Sequence, residues 1–256
     1  MRVLVVADDF TGACDTGVQF ARPGRPCTVV FRPPQETLSV AVVDSESRHL
    51  SPRDAAERVR SALRDVDAAT IVLKKIDSTF RGNVGSEVTA ALDACPGRIA
   101  LVIPAFPAGM RTTVGGHCRV NGVPLDQTEF ARDPLSPVQS SAVAQLLGGA
   151  LRTRLASDPN ALRRAVDEAA PGDVVIVDAQ TQSDIDDSLA VVAHELSRFV
   201  LVGSAGLGAA VGATLLGRPQ IATPADGGTP PVTGTRASGV LGVVGSLSER
   251  SRRQVE

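Results

Sequence analysis

Short runs of aliphatic residues recur along the chain, and segments with helical periodicity separate most of them. Clear examples of the aliphatic runs are Val3–Ala7, residues 71–73 and Ile99–Ile103. Continuous apolar runs of this length are typical of parallel strands that are buried on both faces. Strands that alternate with helices form doubly wound sheets. The sequence therefore predicts an α/β fold, a Rossmann-like and mostly parallel sheet with helices on both faces.

The pattern of the 256-residue chain changes near residue 219. Residues 219–238 are rich in Pro, Gly, Thr and Ala and show no periodicity, which is typical of a linker. Residues 239–256 then begin a new strand, a turn and a helix, which cannot bury a core by themselves. We expect one complete domain in residues 1–218, a linker, and the start of a truncated second α/β domain.

Composition and charge exclude several classes of protein. The net charge is −2 and hydrophobic residues make up 43% of the chain, so neither a nucleic-acid partner nor a membrane partner is expected. The four cysteines and three histidines show no metal-ligand spacing, so no metal site of that kind is expected. The sequence has neither a signal peptide nor an apolar stretch of about 20 residues. These features predict a cytoplasmic protein.

The predicted strand at residues 71–76 ends in a cluster of charged and hydroxylated residues. Open α/β sheets bind ligands at the carboxyl ends of their strands. Side chains alternate along a strand, so Lys75 and Asp77 share one side while Lys74 lies on the other. We therefore expect Lys75 and Asp77 in a site. The alternative is that both lysines lie at a sheet edge and that Ser78 only starts a turn.

Two other predicted strands also end in polar residues. Asp8 and Asp9 follow the first strand, and Arg48 closes a polar segment after a strand at residues 39–43. Carboxylates can bind sugar hydroxyls, hold Mg²⁺ or accept a proton, whereas a guanidinium binds carboxylates and phosphates. The alternatives are that either aspartate only caps a helix and that Arg48 only pairs with Glu46.

Four local predictions concern helix ends and loops. Thr11 is predicted to cap the first helix, and Asp184 to cap a helix that runs through Leu196. Residues 104–117 contain too much Pro and Gly for regular structure and predict a long functional loop. Residues 203–208 open a helix with several glycines, which either bind an anion through free amides or allow close helix–sheet packing.

Taken together, the motifs resemble those of the four-carbon acid sugar kinase family. Members of this family phosphorylate acids such as threonate, erythronate and their 3-oxo relatives with ATP. One departure from the family pattern is Met110, where glycine is favoured before Arg111. The segments that carry the resemblance are residues 7–13, 44–48, 74–87, 104–117, 133–137 with Ser140, 203–207 and 245–248.

The resemblance implies roles for individual residues. Asp9 and Asp77 are the candidates for the catalytic aspartate, and Ser246 is the first residue expected to contact ATP. ATP and Mg²⁺ are the implied cofactors. The remaining residues of the implied acid-sugar pocket are Asp8, Arg48, Lys75, Ser78 and Arg81.

Three functions remain open from the sequence. The first is the substrate-binding part of a kinase that is inactive or weak alone and depends on a separate nucleotide-binding domain. The second is a non-catalytic sugar-acid binding module or a decayed kinase. The third is a nucleotide-binding oxidoreductase that uses residues 203–208, although that segment lacks the dinucleotide fingerprint. A homo-oligomer is compatible with each of the three.

Overall fold

The computed structural model describes residues 2–22, 27–32 and 39–217, so the predicted linker and second domain lie outside the described residues. Eight of the described strands form one parallel sheet with the order β2-β3-β1-β4-β11-β5-β10-β9, and three form a small antiparallel sheet. The predicted α/β fold is confirmed. The strands are β1 (Val3–Ala7), β2 (Thr28–Val30), β3 (Val40–Asp44), β4 (Ile71–Lys75), β5 (Ile99–Ile103), β6 (Arg111–Val114), β7 (His117–Val120), β8 (Val123–Pro124), β9 (Thr153–Ala156), β10 (Val174–Val177) and β11 (Phe199–Gly203).

Helices cover both faces of the parallel sheet. The described α-helices are α1 (Phe10–Phe20), α2 (Pro52–Leu63), α3 (Val84–Ala94), α4 (Val143–Leu146), α5 (Pro159–Asp167), α6 (Gln182–Val192) and α7 (Ala205–Leu216). Helices α2 and α3 share one hydrophobic core with one face of the sheet, and α1, α5, α6 and α7 share the other core. None of these described helices is long and apolar enough to cross a membrane.

The predicted helix caps need two corrections. Asp9, not Thr11, is the N-cap of α1, because Asp9 has extended backbone and its Oδ1 accepts the amide of Gly12 at 2.9 Å. Thr181, not Asp184, is the N-cap of α6. Asp184 instead accepts the amide of Thr181 in a reciprocal capping box. Helix α6 ends at Val192, and 3₁₀ turns continue to residue 198.

The prediction that residues 104–117 lack regular structure is wrong. Most of the second half of this segment lies in strands β6 and β7, which form an antiparallel hairpin. Gly115 and Gly116 form its two-residue turn with φ of 60° and 75°, a conformation that favours glycine. The carboxylate of Asp178 accepts the amides of both glycines, at 2.7 and 2.9 Å. Glycine content here indicates a tight turn rather than a long loop.

The glycines of residues 203–208 are explained by close packing. A β-carbon on Gly206 would lie 2.6 Å from the carbonyl oxygen of Ala105, and one on Gly208 would lie 3.1 Å from Cγ2 of Thr16. A side chain at Gly206 would collide with the backbone just after β5, and one at Gly208 would crowd α1, so the close approach of α7 to its neighbours favours glycine. Of the two predicted explanations, the geometry favours helix–sheet packing.

The strand ends that carry the predicted site lie side by side. Strand β1 pairs with β3 on one edge and β4 on the other, and its last residue, Ala7, is level with Asp44 and Lys75. Helix α1 leaves β1 toward one face, whereas α2 and α3 leave β3 and β4 toward the other face. Neighbouring strands whose helices leave to opposite faces open a crevice at their carboxyl ends. The predicted polar residues line this crevice.

Candidate functional site

Arg48 lies at the centre of the crevice, between two carboxylates. Its Nε donates to Asp8 Oδ2 at 2.7 Å, and its Nη1 lies 2.7 Å from Asp9 Oδ2. The alternative partner, Glu46, has a left-handed backbone with φ of 49° and is exposed. Asp9 therefore has two functions in the structure, since one of its oxygens caps α1 and the other contacts Arg48. The guanidinium joins the loops that follow β1 and β3.

Asp77 lies on the third loop and is saturated with hydrogen-bond donors. Arg81 donates to both of its oxygens, at 3.0 Å from Nε and 2.9 Å from Nη2, and the hydroxyl and amide of Thr79 donate to Oδ2. Burial alone would raise the pKa of Asp77. The hydrogen bonds from Arg81 and the charges of Arg81 and Arg48 outweigh burial and hold this pKa well below its ordinary value. Asp77 is therefore an anion at neutral pH.

The charges of the three loops are coupled through Arg48. Its Nη2 lies 3.8 Å from Asp77 Oδ1, so a single guanidinium contacts Asp8, Asp9 and Asp77. Burial alone would lower the pKa of Arg48, but the three carboxylates raise it above its ordinary value. Arg48 therefore stays charged, and its charge holds together three carboxylates that would otherwise repel one another.

Lys75 and Lys74 point to opposite faces of the sheet, as strand alternation predicts. Lys75 Nζ donates to the carbonyl of Ile76 at 2.8 Å. The same nitrogen would lie 2.8 Å from a β-carbon on Gly12, so Lys75 packs closely against the start of α1. Burial lowers the pKa of Lys75, although the nearby aspartates act in the opposite direction. Lys74 instead forms a fully buried ion pair with Glu87 of α3, at 2.9 Å. Only Lys75 belongs to the crevice.

Two buried carboxylate oxygens of the crevice, Asp8 Oδ1 and Asp44 Oδ2, have no hydrogen-bond partner among the described residues. The other oxygen of Asp44 accepts the amide of Glu46 at 2.9 Å. Burial raises the pKa of Asp44, and the charges of Glu46, Asp9 and Asp8 act in the same direction. Unpaired buried acceptors are costly, and a ligand that donates hydroxyl groups can satisfy them.

A cavity of about 270 Å³ adjoins the crevice on the side of Arg48. The segment that follows β8 closes its far side with Leu135, Ser136 and Pro137. Asp133, at the start of this segment, lies 3.5 Å from Arg81 Nη1. The residues that line the cavity are Arg48, His49, Leu50, Phe80, Gly82, Asn83, Leu135, Ser136 and Pro137.

Sequence reasoning assigned no site role to Asp133 or Phe130. The ring of Phe130 lies under two guanidinium groups, 5.5 Å from that of Arg81 and 6.0 Å from that of Arg111. Such contacts orient arginine side chains. Asp133 belongs to the Asp-Pro-x-x-Pro motif of the family pattern. Its ion pair with Arg81 could not be predicted from spacing, because the two residues are far apart in the sequence.

The predicted site residues do not all meet. Ser78 is half-buried and follows Asp77 in the chain, and no described contact joins it to Arg48. Ser246 lies outside the described residues. Met110 has a left-handed backbone with φ of 60°, which explains why glycine is favoured at this position of the family pattern. The other predicted residues all line the crevice, namely Asp8, Asp9, Arg48, Lys75, Asp77 and Arg81.

The described residues provide no ready-made metal cage. No group of three or more His, Cys, Asp or Glu side chains within residues 2–22, 27–32 and 39–217 is arranged to hold a metal ion. Asp8 and Asp9, which are adjacent in the sequence and lie in the crevice, each give an oxygen to Arg48. Within this part of the chain the crevice is suited to a ligand with both hydroxyl and anionic groups.

Comparisons with known proteins agree with this chemistry. Residues 3–211 match the family model described as a sugar-binding N-terminal domain. The chain is 38% identical over its whole length to a protein of Salmonella typhimurium named D-threonate kinase, and covers 60% of that protein. It is 35% identical over 99% of its length to a protein of Heliobacterium modesticaldum named D-erythronate kinase, and covers 59% of it. The chain thus spans about 60% of the length of these relatives.

A solved structure shows the same fold. A crystal structure from Bordetella bronchiseptica superposes with a TM-score of 0.73 and 35% identity, covering 84% of this chain and 56% of that one. It is described as a domain of unknown function with bound citrate, in a domain-swapped dimer. Family model, relatives and fold agree, and this chain belongs to the four-carbon acid sugar kinase family, with a sugar-binding N-terminal domain at residues 3–211.

Proposed function

We propose that the crevice binds a four-carbon sugar acid and presents one of its hydroxyl groups for phosphorylation by ATP. The observation that carries this proposal is the Arg48 guanidinium fixed between Asp8 and Asp9 at 2.7 Å, at the meeting point of three strand ends. The site has cations that can pair with the carboxylate of a sugar acid, and carboxylates that can accept hydrogen bonds from its hydroxyl groups. The relatives named D-threonate and D-erythronate kinase support the substrate class.

In this proposal, the carboxylate of the sugar acid binds to the cations of the crevice. Lys75 is the best candidate for direct contact, because its ammonium has three donors and makes one hydrogen bond, to a backbone carbonyl. Arg48 and Arg81 are already paired with aspartates and orient the ligand from fixed positions. The ligand hydroxyl groups are assigned to the unpaired oxygens of Asp8 and Asp44.

Asp9 is a better candidate for the catalytic aspartate than Asp77. Both oxygens of Asp77 accept hydrogen bonds from Arg81, and its lowered pKa makes it a weak base. Asp9 is more exposed, with 27% of its side chain accessible, and among the described residues its Oδ2 is paired with Arg48 alone. Asp9 would accept or orient the proton of the attacking hydroxyl, as phosphoryl transfer requires. Asp77 would hold Arg81 in place.

The phosphoryl donor is proposed to be ATP, with Mg²⁺ bridging its phosphates, because the relatives are named kinases. The predicted contact of Ser246 with ATP, and the need for a separate nucleotide-binding domain, stay predictions. So does the cytoplasmic location. A homo-oligomer is likewise a proposal, which the domain-swapped dimer of the Bordetella bronchiseptica protein supports.

Calorimetric titration of the full chain with D-threonate and D-erythronate tests the binding proposal. We expect Arg48→Ala to weaken affinity at least about tenfold, because it removes the central cation of the site. Arg60→Ala is the matched control, since Arg60 is an exposed arginine of α2 that pairs with Asp93. Equal affinities of wild type and Arg48→Ala would refute the assignment of the site.

An ATP turnover assay with the same acids, run with a nucleotide-binding domain supplied in trans, tests the catalytic assignment. We expect Asp9→Asn to abolish phosphorylation while leaving sugar-acid affinity within about threefold, since the amide keeps its shape but cannot accept a proton. Asp77→Asn should mainly weaken binding, because it releases Arg81. Turnover that survives Asp9→Asn would remove Asp9 from the mechanism. Binding without turnover in the wild-type chain alone fits both the kinase part and the non-catalytic module, and a nucleotide-binding domain supplied in trans should restore turnover only for the kinase part.

A further inference from the structure

Asn83 uses its side chain in an unusual way for its position. It is the N-cap residue of α3, where asparagine normally bonds an amide of its own helix, yet it makes no capping hydrogen bond. Its Nδ2 instead lies near three backbone carbonyls of the loop after β3. The distances are 3.0 Å to Ser47, 3.3 Å to Arg48 and 2.9 Å to Leu50. Carbonyls only accept hydrogen bonds, so the amide must present its two hydrogens to them.

The loop that Asn83 contacts is the one that carries Arg48. On its other side this loop is attached to the end of β1, since the amides of Ser47 and Arg48 donate to the carbonyl of Asp8 at 3.0 and 3.2 Å. The hydroxyl of Ser45 donates to the carbonyl of Ala7 at 2.7 Å. The side of the loop toward β4 receives hydrogen bonds from Asn83. The loop is thus held from two directions.

Gly82 allows this contact. Its φ of 92° is in the region that favours glycine, and a β-carbon there would lie 3.0 Å from Cγ of Arg48 and 3.2 Å from its carbonyl oxygen. The backbone before Asn83 therefore packs directly on Arg48. Both residues serve the same contact, since Gly82 gives the close approach and Asn83 gives the hydrogen bonds.

We propose that Asn83 is the positioning residue for Arg48. This inference rests on the proposed function, in which Arg48 is the central cation of the sugar-acid site. Asn83 touches the backbone around Arg48 and not the guanidinium, so it acts by fixing the loop from which the side chain extends. Without it, the carbonyls of Arg48 and Leu50 lose this donor, that of Ser47 keeps only the amide of Leu50, and the guanidinium loses its fixed position between Asp8 and Asp9.

A double-mutant cycle on the full chain tests the inference, with D-threonate and D-erythronate as probes. Asn83→Ala should weaken affinity about tenfold when Arg48 is present, and less than about twofold in an Arg48→Ala background. Asn83→Asp should be at least as damaging, because it sets a carboxylate against three carbonyls. Ser86→Ala is the control, since the Ser86 hydroxyl bonds only the backbone of Asn83, at 3.0 Å.

Additive losses in the two backgrounds would overturn the inference, because a general structural role does not depend on Arg48. Unchanged affinity in Asn83→Ala would overturn it as well. If Asn83→Ala does not fold, Gly82→Ala gives the same test, since its β-carbon pushes on Arg48 from the same side. Its loss must also vanish in the Arg48→Ala background.

Failure of the proposed function has a different signature. If the wild-type chain binds neither acid, the proposed function fails. The inference can then be tested by itself, by measuring the solvent-exchange rate of the Arg48 Nε–H hydrogen by NMR in ¹⁵N-arginine-labelled protein. The Nε–H group donates a hydrogen bond to Asp8 Oδ2, with 2.7 Å between nitrogen and oxygen, so its hydrogen should exchange slowly with solvent. We expect faster exchange in Asn83→Ala and an unchanged rate in Ser86→Ala. Equal exchange rates in wild type and Asn83→Ala would overturn the positioning role.

Discussion

The ion pair between Lys74 and Glu87 gives the sharpest test of how the crevice is supported. Both side chains are buried, with 0% and 1% of their surface accessible, and the two charged groups are 2.9 Å apart. Lys74 Nζ also donates to the carbonyls of Val6 and Lys75, at 3.3 and 2.8 Å. The pair thus joins the ends of β1 and β4 to α3, directly beneath the site.

Removal of one partner leaves the other as an unpaired buried charge. We expect Lys74→Met or Glu87→Met to lower the free energy of unfolding by about 3–5 kcal/mol. This is a large share of a typical total of about 5–15 kcal/mol. The double variant Lys74→Met/Glu87→Met should recover most of the loss, because apolar side chains of similar volume replace both charges.

Urea unfolding of the full chain measures these differences. The exposed pair of Arg60 and Asp93, at 3.3 Å, is the control, and Arg60→Met should change the free energy of unfolding by less than about 1 kcal/mol. Losses below about 1 kcal/mol in both buried single variants would refute the reasoning. So would a double variant that is no more stable than either single variant.

Two further predictions concern a glycine and a lysine. Gly206→Ala should cost about 1–3 kcal/mol in urea unfolding, because its β-carbon would lie 2.6 Å from a backbone oxygen, and an unchanged stability would refute the packing explanation. The folded-state pKa of Lys75 lies below its ordinary value of 10.5, so sugar-acid affinity should fall with rising pH before that value is reached. In the same window the unfolded chain binds more protons at Lys75, so the contribution of Lys75 to stability should rise with pH. This contribution is the difference in free energy of unfolding between wild type and Lys75→Met, and a difference that does not change with pH would exclude Lys75 as its source.

Sequence patterns predict the interior of the fold well. Strands β1 and β5 are continuous aliphatic runs and β4 begins with one, and this pattern has few explanations other than a buried parallel strand. Strand β9 was not predicted. It is one of the two edge strands of the described sheet, and its sequence Thr-Arg-Leu-Ala includes the exposed Leu155, so its pattern is indistinct. An edge strand is specified mainly by its neighbour, which local sequence does not show.

Within the site, the sequence predicts charged groups better than their partners. Alternation along β4 separates Lys75 from Lys74, and the geometry agrees. Local pattern could not reveal that Asp9 both caps a helix and contacts Arg48, because that contact joins the ends of two neighbouring strands that are far apart in the sequence. Asn83 is an ordinary helix-start residue in sequence. Its function depends on a loop more than thirty residues earlier in the chain.

The residues around Arg48 show why a site needs these partners. A free arginine side chain loses about 2 kcal/mol of rotamer entropy when it is fixed. Here Asp8 and Asp9 fix the guanidinium, while Asn83 and the carbonyl of Asp8 fix the backbone. The fold has therefore already lost this rotamer entropy before a ligand binds, so ligand binding loses less entropy. The guanidinium of Arg48 is already paired with Asp8 and Asp9. A ligand therefore gains affinity from Arg48 only if the ligand's hydroxyl groups also donate hydrogen bonds to these aspartates. Under the proposed function, this arrangement should select a polyhydroxylated acid over a simple carboxylate.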